Sequence, residues 1–145
     1  MVHAIVLSHA PPRDADDLTQ EVFARALAGI ATLREDGRVG AWLASIARNV
    51  SRESLRTRRR MSELGEIDPA ARGSADAIHG AREVLEAIRA LSEAYRETLV
   101  MRLVEGMTGP EIAERTGMTH GSVRVHLHRG MKLLHEELER RGLTP

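Results

Sequence analysis

The sequence predicts an all-α protein: two small helical modules joined by a flexible linker, the second a helix-turn-helix. Three observations carry this expectation. Apolar residues recur at steps of three and four over most of the chain, and helix start and stop signals cluster between Thr108 and Thr119. The 145 residues include only three aromatics, Phe23, Trp42 and Tyr95, so Leu, Val, Ile and Ala must do the packing, which suits modest helical modules better than one large core.

Taken in order, residues 1–13 hold a short apolar run, Ala4 to Leu7, followed by Pro11 and Pro12, which stop any helix before Arg13. A loose N-terminal arm is expected there. Residues 14–60 form the first module. Leu18, Val22, Ala26, Ile30 and Leu33 lie on one helical stripe with Phe23 and Leu27 beside it, and Asp14, Asp16 and Asp17 sit in the first turn, where the positive helix end favours them. A polar turn with two glycines, Glu35 to Gly40, precedes a second amphipathic helix built on Trp42, Leu43, Ile46, Ala47 and Val50. Its other side carries Arg48, Arg52, Arg56 and Arg59 at steps of four, four and three, with Asn49 and Arg60 close by. A charge run of this kind is either a solvated face or a phosphate-binding one.

Residues 61–80 lose periodicity and collect Gly, Pro, Ser and Asp, the composition of a linker. Twenty such residues reach on the order of 66 Å fully extended but roughly 25 Å as a relaxed coil. The second module spans 81–141. Val84, Leu85, Ile88 and Leu91 restart the helical pattern, Ser92 can cap the next helix with Tyr95, Leu99 and Leu103 facing inward, and Gly106 ends it.

Thr108, Pro110 and Glu111 then make a capping box with proline in the first turn, so a helix starts near Gly109. Gly117 can close that helix in the left-handed conformation, and Thr119 caps the next. In the final helix Val123, Leu127, Met131, Leu134 and Leu138 form an inward stripe. Gly121, Ser122, Val125 and Arg129 lie opposite, flanked by Arg124, His126 and His128. Arginine can grip guanine edges, valine can meet a thymine methyl, and the capped helix start can receive a phosphate. A structural helical hairpin remains the alternative.

Net charge is zero, yet it is segregated: residues 34–60 hold eight arginines against three carboxylates, and acidic stretches flank them. Nucleic-acid contact is therefore expected at two separate places. Cysteine is absent, which fits a reducing cytoplasm, and no run is long enough for a membrane span or a signal peptide. Catalysis, cofactors and metal are not expected. His126 and His128 are two apart and face different sides of a helix, His135 to Glu139 lacks the second histidine of a zincin, and no phosphate loop or nucleophile elbow occurs.

Two stretches together resemble the extracytoplasmic-function (ECF) sigma factors of bacterial RNA polymerase. DADDLTQEVFARAL at 14–27 and AWLASIARNVSRESLRTRRR at 41–60 are similar to that family's region 2, and residues 91–134 to its region 4. The N-terminal part of region 2 looks truncated, because the family has further helices before the first of these segments. The resemblance implies that Asp16, Asp17, Gln20 and Glu21 dock on core RNA polymerase. It implies that Trp42, Arg48, Asn49, Arg52 and Arg56 lie at the minus-10 promoter element, where an unstacked base is captured. Thr119, Ser122, Arg124, Val125, His126, His128 and Arg129 would read the minus-35 element. The expected partners are polymerase, promoter DNA and an anti-sigma factor. A stand-alone helix-turn-helix regulator, or a remnant that only binds polymerase or an anti-sigma factor, are the rival readings.

Overall fold

Proline sets the first boundary in the chain. Pro11 occupies the N-cap position and Pro12 the first turn of a helix, where the missing N–H costs nothing, so the two prolines separate two helices instead of ending all helical structure. The computed structural model describes residues 1–34, 38–65 and 76–143, which form seven α-helices and a short 3-10 turn. They are α1 (Val2–His9), α2 (Pro12–Ala28), the 3-10 turn Ile30–Thr32, α3 (Val39–Glu63), α4 (Asp76–Ala90), α5 (Glu93–Leu103), α6 (Gly109–Thr116) and α7 (His120–Arg140). No strand occurs among the described residues.

The expected loose arm is instead α1, and seven of its eight residues are buried. It packs against α2 and α3 of the N-terminal half and against α4 and α5 of the C-terminal half, so one apolar cluster runs through both. A helix buried at every position but His3 has no continuous polar face, which is why no amphipathic period marks it in the sequence. Its last carbonyls are bound from a distance. Arg89 on α4 donates to the Leu7 carbonyl from Nε at 3.0 Å and from its terminal nitrogen at 2.9 Å, and also reaches the Ala10 carbonyl. Burial pushes the Arg89 guanidinium down to about 10.

Other boundaries shift for local reasons. α2 stops at Ala28 before Gly29, so Ile30 and Leu33 fall beyond its stripe, and Phe23, Leu27 and Ile30 remain exposed. Val39 and Gly40 already belong to α3, while 35–37 lie outside the described residues. Both ends of the expected linker are helical, since α3 runs to Glu63 and α4 begins at Asp76; 66–75 lie outside the described residues. Leu103, at the last turn of α5, is exposed instead of inward. On α7 Met131 is exposed as well. Gly130 is buried there, and a methyl added to it would lie 3.2 Å from Leu99 and 3.3 Å from Tyr95.

Charged contacts also cross between the halves. Arg48 on α3 donates to both oxygens of Glu97 on α5, at 2.7 Å each, and His9 Nε2 lies 3.3 Å from the same carboxylate. Arg52 pairs with Glu93 one turn away, and the Met1 α-amino group donates to Glu105 at 2.7 Å. Burial alone would push the Glu97 carboxyl up. The hydrogen bonds from His9 and Arg48 outweigh it and hold the group below its ordinary value.

Two outcomes follow from this packing. Ile5→Ala should cost about 2–4 kcal/mol in urea unfolding, the price of a cavity in a closed core, whereas a residue in a loose arm would cost almost nothing. The Glu97 contribution is present above the ordinary carboxylate value of 4.5 and is lost as pH falls through its lower folded value, because the unfolded chain takes up the proton first. Glu97→Gln should therefore flatten the acid limb of a stability–pH profile; an unchanged slope would contradict the assignment.

Candidate nucleic-acid interface

The α6–α7 pair is built by short-range chemistry. Thr108 and Glu111 exchange hydrogen bonds, with the Thr108 N–H donating to Glu111 at 2.7 Å and the Glu111 N–H donating to Thr108 Oγ1 at 3.3 Å. The Thr108 N–H first, and then the Thr108 hydroxyl at 2.8 Å, donate to the Glu111 carboxylate and hold it below its usual range. Gly117 closes α6 at φ 72°, a conformation that costs glycine little. Thr119 then caps α7 by accepting from the Ser122 N–H at 3.1 Å. Three residues thus separate the helices, the spacing of a helix-turn-helix.

At 100° per residue the first turns of α7 sort themselves. Val123, Gly130 and Leu134 are buried, while Thr119, Ser122, Arg124, Val125, His128 and Arg129 are exposed on the other side. His126 departs from its expected outward position. It falls about 60° from Val123, on the buried side. Its ring packs edge-on to Tyr95 with centroids 5.6 Å apart, and Nδ1 is buried without a hydrogen-bond partner.

The α3 arginines divide the same way. Trp42, Asn49, Arg56 and Arg60 share one stripe, whereas Arg48 and Arg52 lie about 80–120° away and face α5. Asn49, Arg56, Arg59 and Arg60 are exposed and Trp42 is half-buried. Arg48 and Arg52 are bound by Glu97 and Glu93, as described above. Trp42 lines an open concavity of about 450 Å³ together with Thr32, Leu33, Arg34 and Arg38. Sequence reasoning passed over Arg34 and Arg38 because they sit in an irregular stretch with no period to place them.

On α2, Asp16, Asp17, Gln20 and Glu21 are all exposed within one arc. Glu21 accepts from Arg25 at 2.7 Å, and Arg25 also pairs with Glu53 of α3 at 2.8 Å, so the C-terminal edge of this acidic face is locally neutralised. Farther along α3, Arg58 pairs with Asp14 at the start of α2.

His9, Glu93 and Glu97 bring potential metal-ligating atoms within 4.8 Å of one another. Both oxygens of Glu97 are held by the Arg48 fork and Glu93 by Arg52, so a cation would have to displace two guanidinium groups. The cluster is an ion-pair network. No signal in the sequence could have found it, since His9 and Glu97 are 88 residues apart. Among the described residues no helix is long and apolar enough to cross a membrane.

Comparison with known proteins agrees with this arrangement. Residues 1–61 match the family model for Sigma-70 region 2, and residues 81–134 the model for Sigma-70, region 4. The ECF RNA polymerase sigma factor BldN of Streptomyces coelicolor is 30% identical over 129 residues, covering 83% of this chain and 49% of its own length, so the chain spans about half of that relative. The RNA polymerase sigma factor CarQ of Myxococcus xanthus is 30% identical over 129 residues, 86% of this chain and 74% of its own. A solved structure of the sigma factor RpoE with the anti-sigma factor NepR, from Bartonella quintana, shares the fold: TM-score 0.55, 24% identity, 95% of this chain and 89% of that one. With both regions in order on one chain, and a relative this similar matched over most of its length, the chain belongs to the ECF sigma factors of RNA polymerase.

Proposed function

We propose that this chain is a promoter-specificity subunit. It binds core RNA polymerase, directs it to a promoter and helps open the DNA, with no catalytic chemistry of its own. The observation that carries the reading is the pairing of a region 2 match and a region 4 match on one chain whose last helix presents a capped, exposed face. Residues 81–141 would read the minus-35 element in a major groove, with Arg124 and Arg129 as base or phosphate donors and Val125 as the apolar contact. Thr119, Ser122 and His128 would position the helix on the backbone.

Residues 1–61 would act at the minus-10 element. Trp42 with Arg34 and Arg38 offers a stacking wall beside two cations, and Asn49 and Arg56 extend the same surface along the strand. Arg48 and Arg52 would join them once α5 withdraws. Asp16, Asp17, Gln20 and Glu21 would dock on polymerase by charge and hydrogen bonding. The reading places the chain in the cytoplasm, with promoter DNA and polymerase as partners. An anti-sigma factor is a further partner, by likeness of fold to a sigma factor solved with one.

The test is binding of the purified chain to core polymerase followed by transcription from a cognate promoter. Tight binding to a defined duplex without polymerase would instead indicate a stand-alone regulator, and polymerase binding without initiation an inactive remnant. Arg124→Ala should cost about 1–3 kcal/mol of discrimination at one upstream base pair, read by competition with substituted promoters. Asp17→Ala should weaken polymerase binding by about five-fold, the scale of one exposed charge, and leave upstream base preference intact. Equal losses of polymerase affinity in both variants would refute the division of labour. Trp42→Ala should leave polymerase binding unchanged and reduce strand opening, with base stacking worth about 1–3 kcal/mol, followed by fluorescence of a base analogue in the minus-10 element.

A further inference from the structure

Glu93 and Glu97 stand one turn apart on α5, and Arg48 and Arg52 one turn apart on α3. The two pairs meet rung for rung, Arg48 with Glu97 and Arg52 with Glu93. We propose that this two-rung ladder is an internal nucleic-acid mimic: the α5 carboxylates occupy the α3 arginines in place of strand phosphates and hold the chain in a closed, DNA-refractory state. The proposal rests on the reading of α3 as a minus-10 surface.

Three observations support it. Arg48 makes a bidentate grip on a carboxylate that is itself largely buried, the same fork that fits a phosphate. The crossing of α3 and α6 is also closely fitted, because a methyl at Gly40 would overlap the Arg115 carbonyl and one at Gly117 would touch Ala41 at 3.5 Å. Finally, the closed body is too small to span a promoter. Elements about 25 base pairs apart lie roughly 85 Å apart at 3.4 Å per base pair, about twice the width of a compact chain of this length. The halves must part for both to bind. Parting bares the side of α1 that α4 and α5 cover, so closure rests on that apolar contact and the ladder together, and loss of the ladder shifts the free chain toward the open form.

These 145 residues include no cysteine, so dyes can be placed at will. Exposed Ala24 on α2 and Lys132 on α7, each changed to Cys, report the distance between the halves by single-molecule energy transfer. The unaltered ladder should give a high-transfer population holding about nine molecules in ten. Glu93→Gln combined with Glu97→Gln, and separately Gly40→Ala, should move molecules to low transfer at unchanged helical circular dichroism. In unlabelled protein the double Gln variant should bind a single-stranded oligonucleotide about ten-fold more tightly, the gain expected for a chain closed nine-tenths of the time.

Glu136→Gln with Glu139→Gln makes the same charge change on α7, where both residues are exposed. An equal gain from that control overturns the mimic, as does unchanged transfer in the folded double Gln variant. Should Gly40→Ala fail to fold, the double Gln variant decides alone. Transcription with core polymerase separates the two readings: initiation by a chain whose transfer never changes sinks the ladder and keeps the sigma reading. Opening and tighter oligonucleotide binding without initiation do the reverse.

Discussion

The structure depends on covering α1. Five of its eight residues are apolar and seven are buried, and neither half of the chain surrounds them by itself. α2 and α3 supply part of the cover and α4 and α5 the rest, so the hydrophobic effect that buries Ile5 and Val6 also holds the two halves together. The ion pairs come second in magnitude. Arg48 keeps about a third of its side chain in solvent, so its bond to Glu97 gains less than a dry pair would while losing less on desolvation.

That arrangement treats the two candidate nucleic-acid faces unequally. The α7 face is complete as it stands, because its geometry is fixed by bonds between neighbours: the Thr108–Glu111 box, the left-handed Gly117 and the Thr119 cap. The α3 face is divided. Its outer stripe, with Trp42, Asn49 and Arg56, is accessible, and its inner one is spent on α5. A chain of zero net charge can keep a strongly basic helix in check only by setting acidic groups against it, and Glu93 and Glu97 do so at matching helical pitch.

How much of this could be read from the sequence follows from the range of each interaction. The helix-turn-helix was legible almost to the residue, since caps and glycine turns act over three or four positions. The helices of amphipathic pattern were legible in existence but less so at their ends, where Gly29 cut α2 short of Ile30. α1 was hidden because complete burial erases periodicity, and its two following prolines read as a stop when they serve as a start. His126 was misplaced by grouping it with its neighbours, since its angle from Val123 already puts it on the Tyr95 side. The His9–Arg48–Glu97 cluster joins three distant parts of the chain, and nothing local announces it.

The long reach of Arg89 to the last carbonyls of α1 has a consequence for biosynthesis. A helix this short does not persist alone in water, and the guanidinium that closes it is translated some eighty residues later. The α1 segment must therefore wait, unpacked, until α4 and α5 emerge to enclose it. During that interval it is an exposed apolar stretch, a natural hold for chaperones and an early target for proteases.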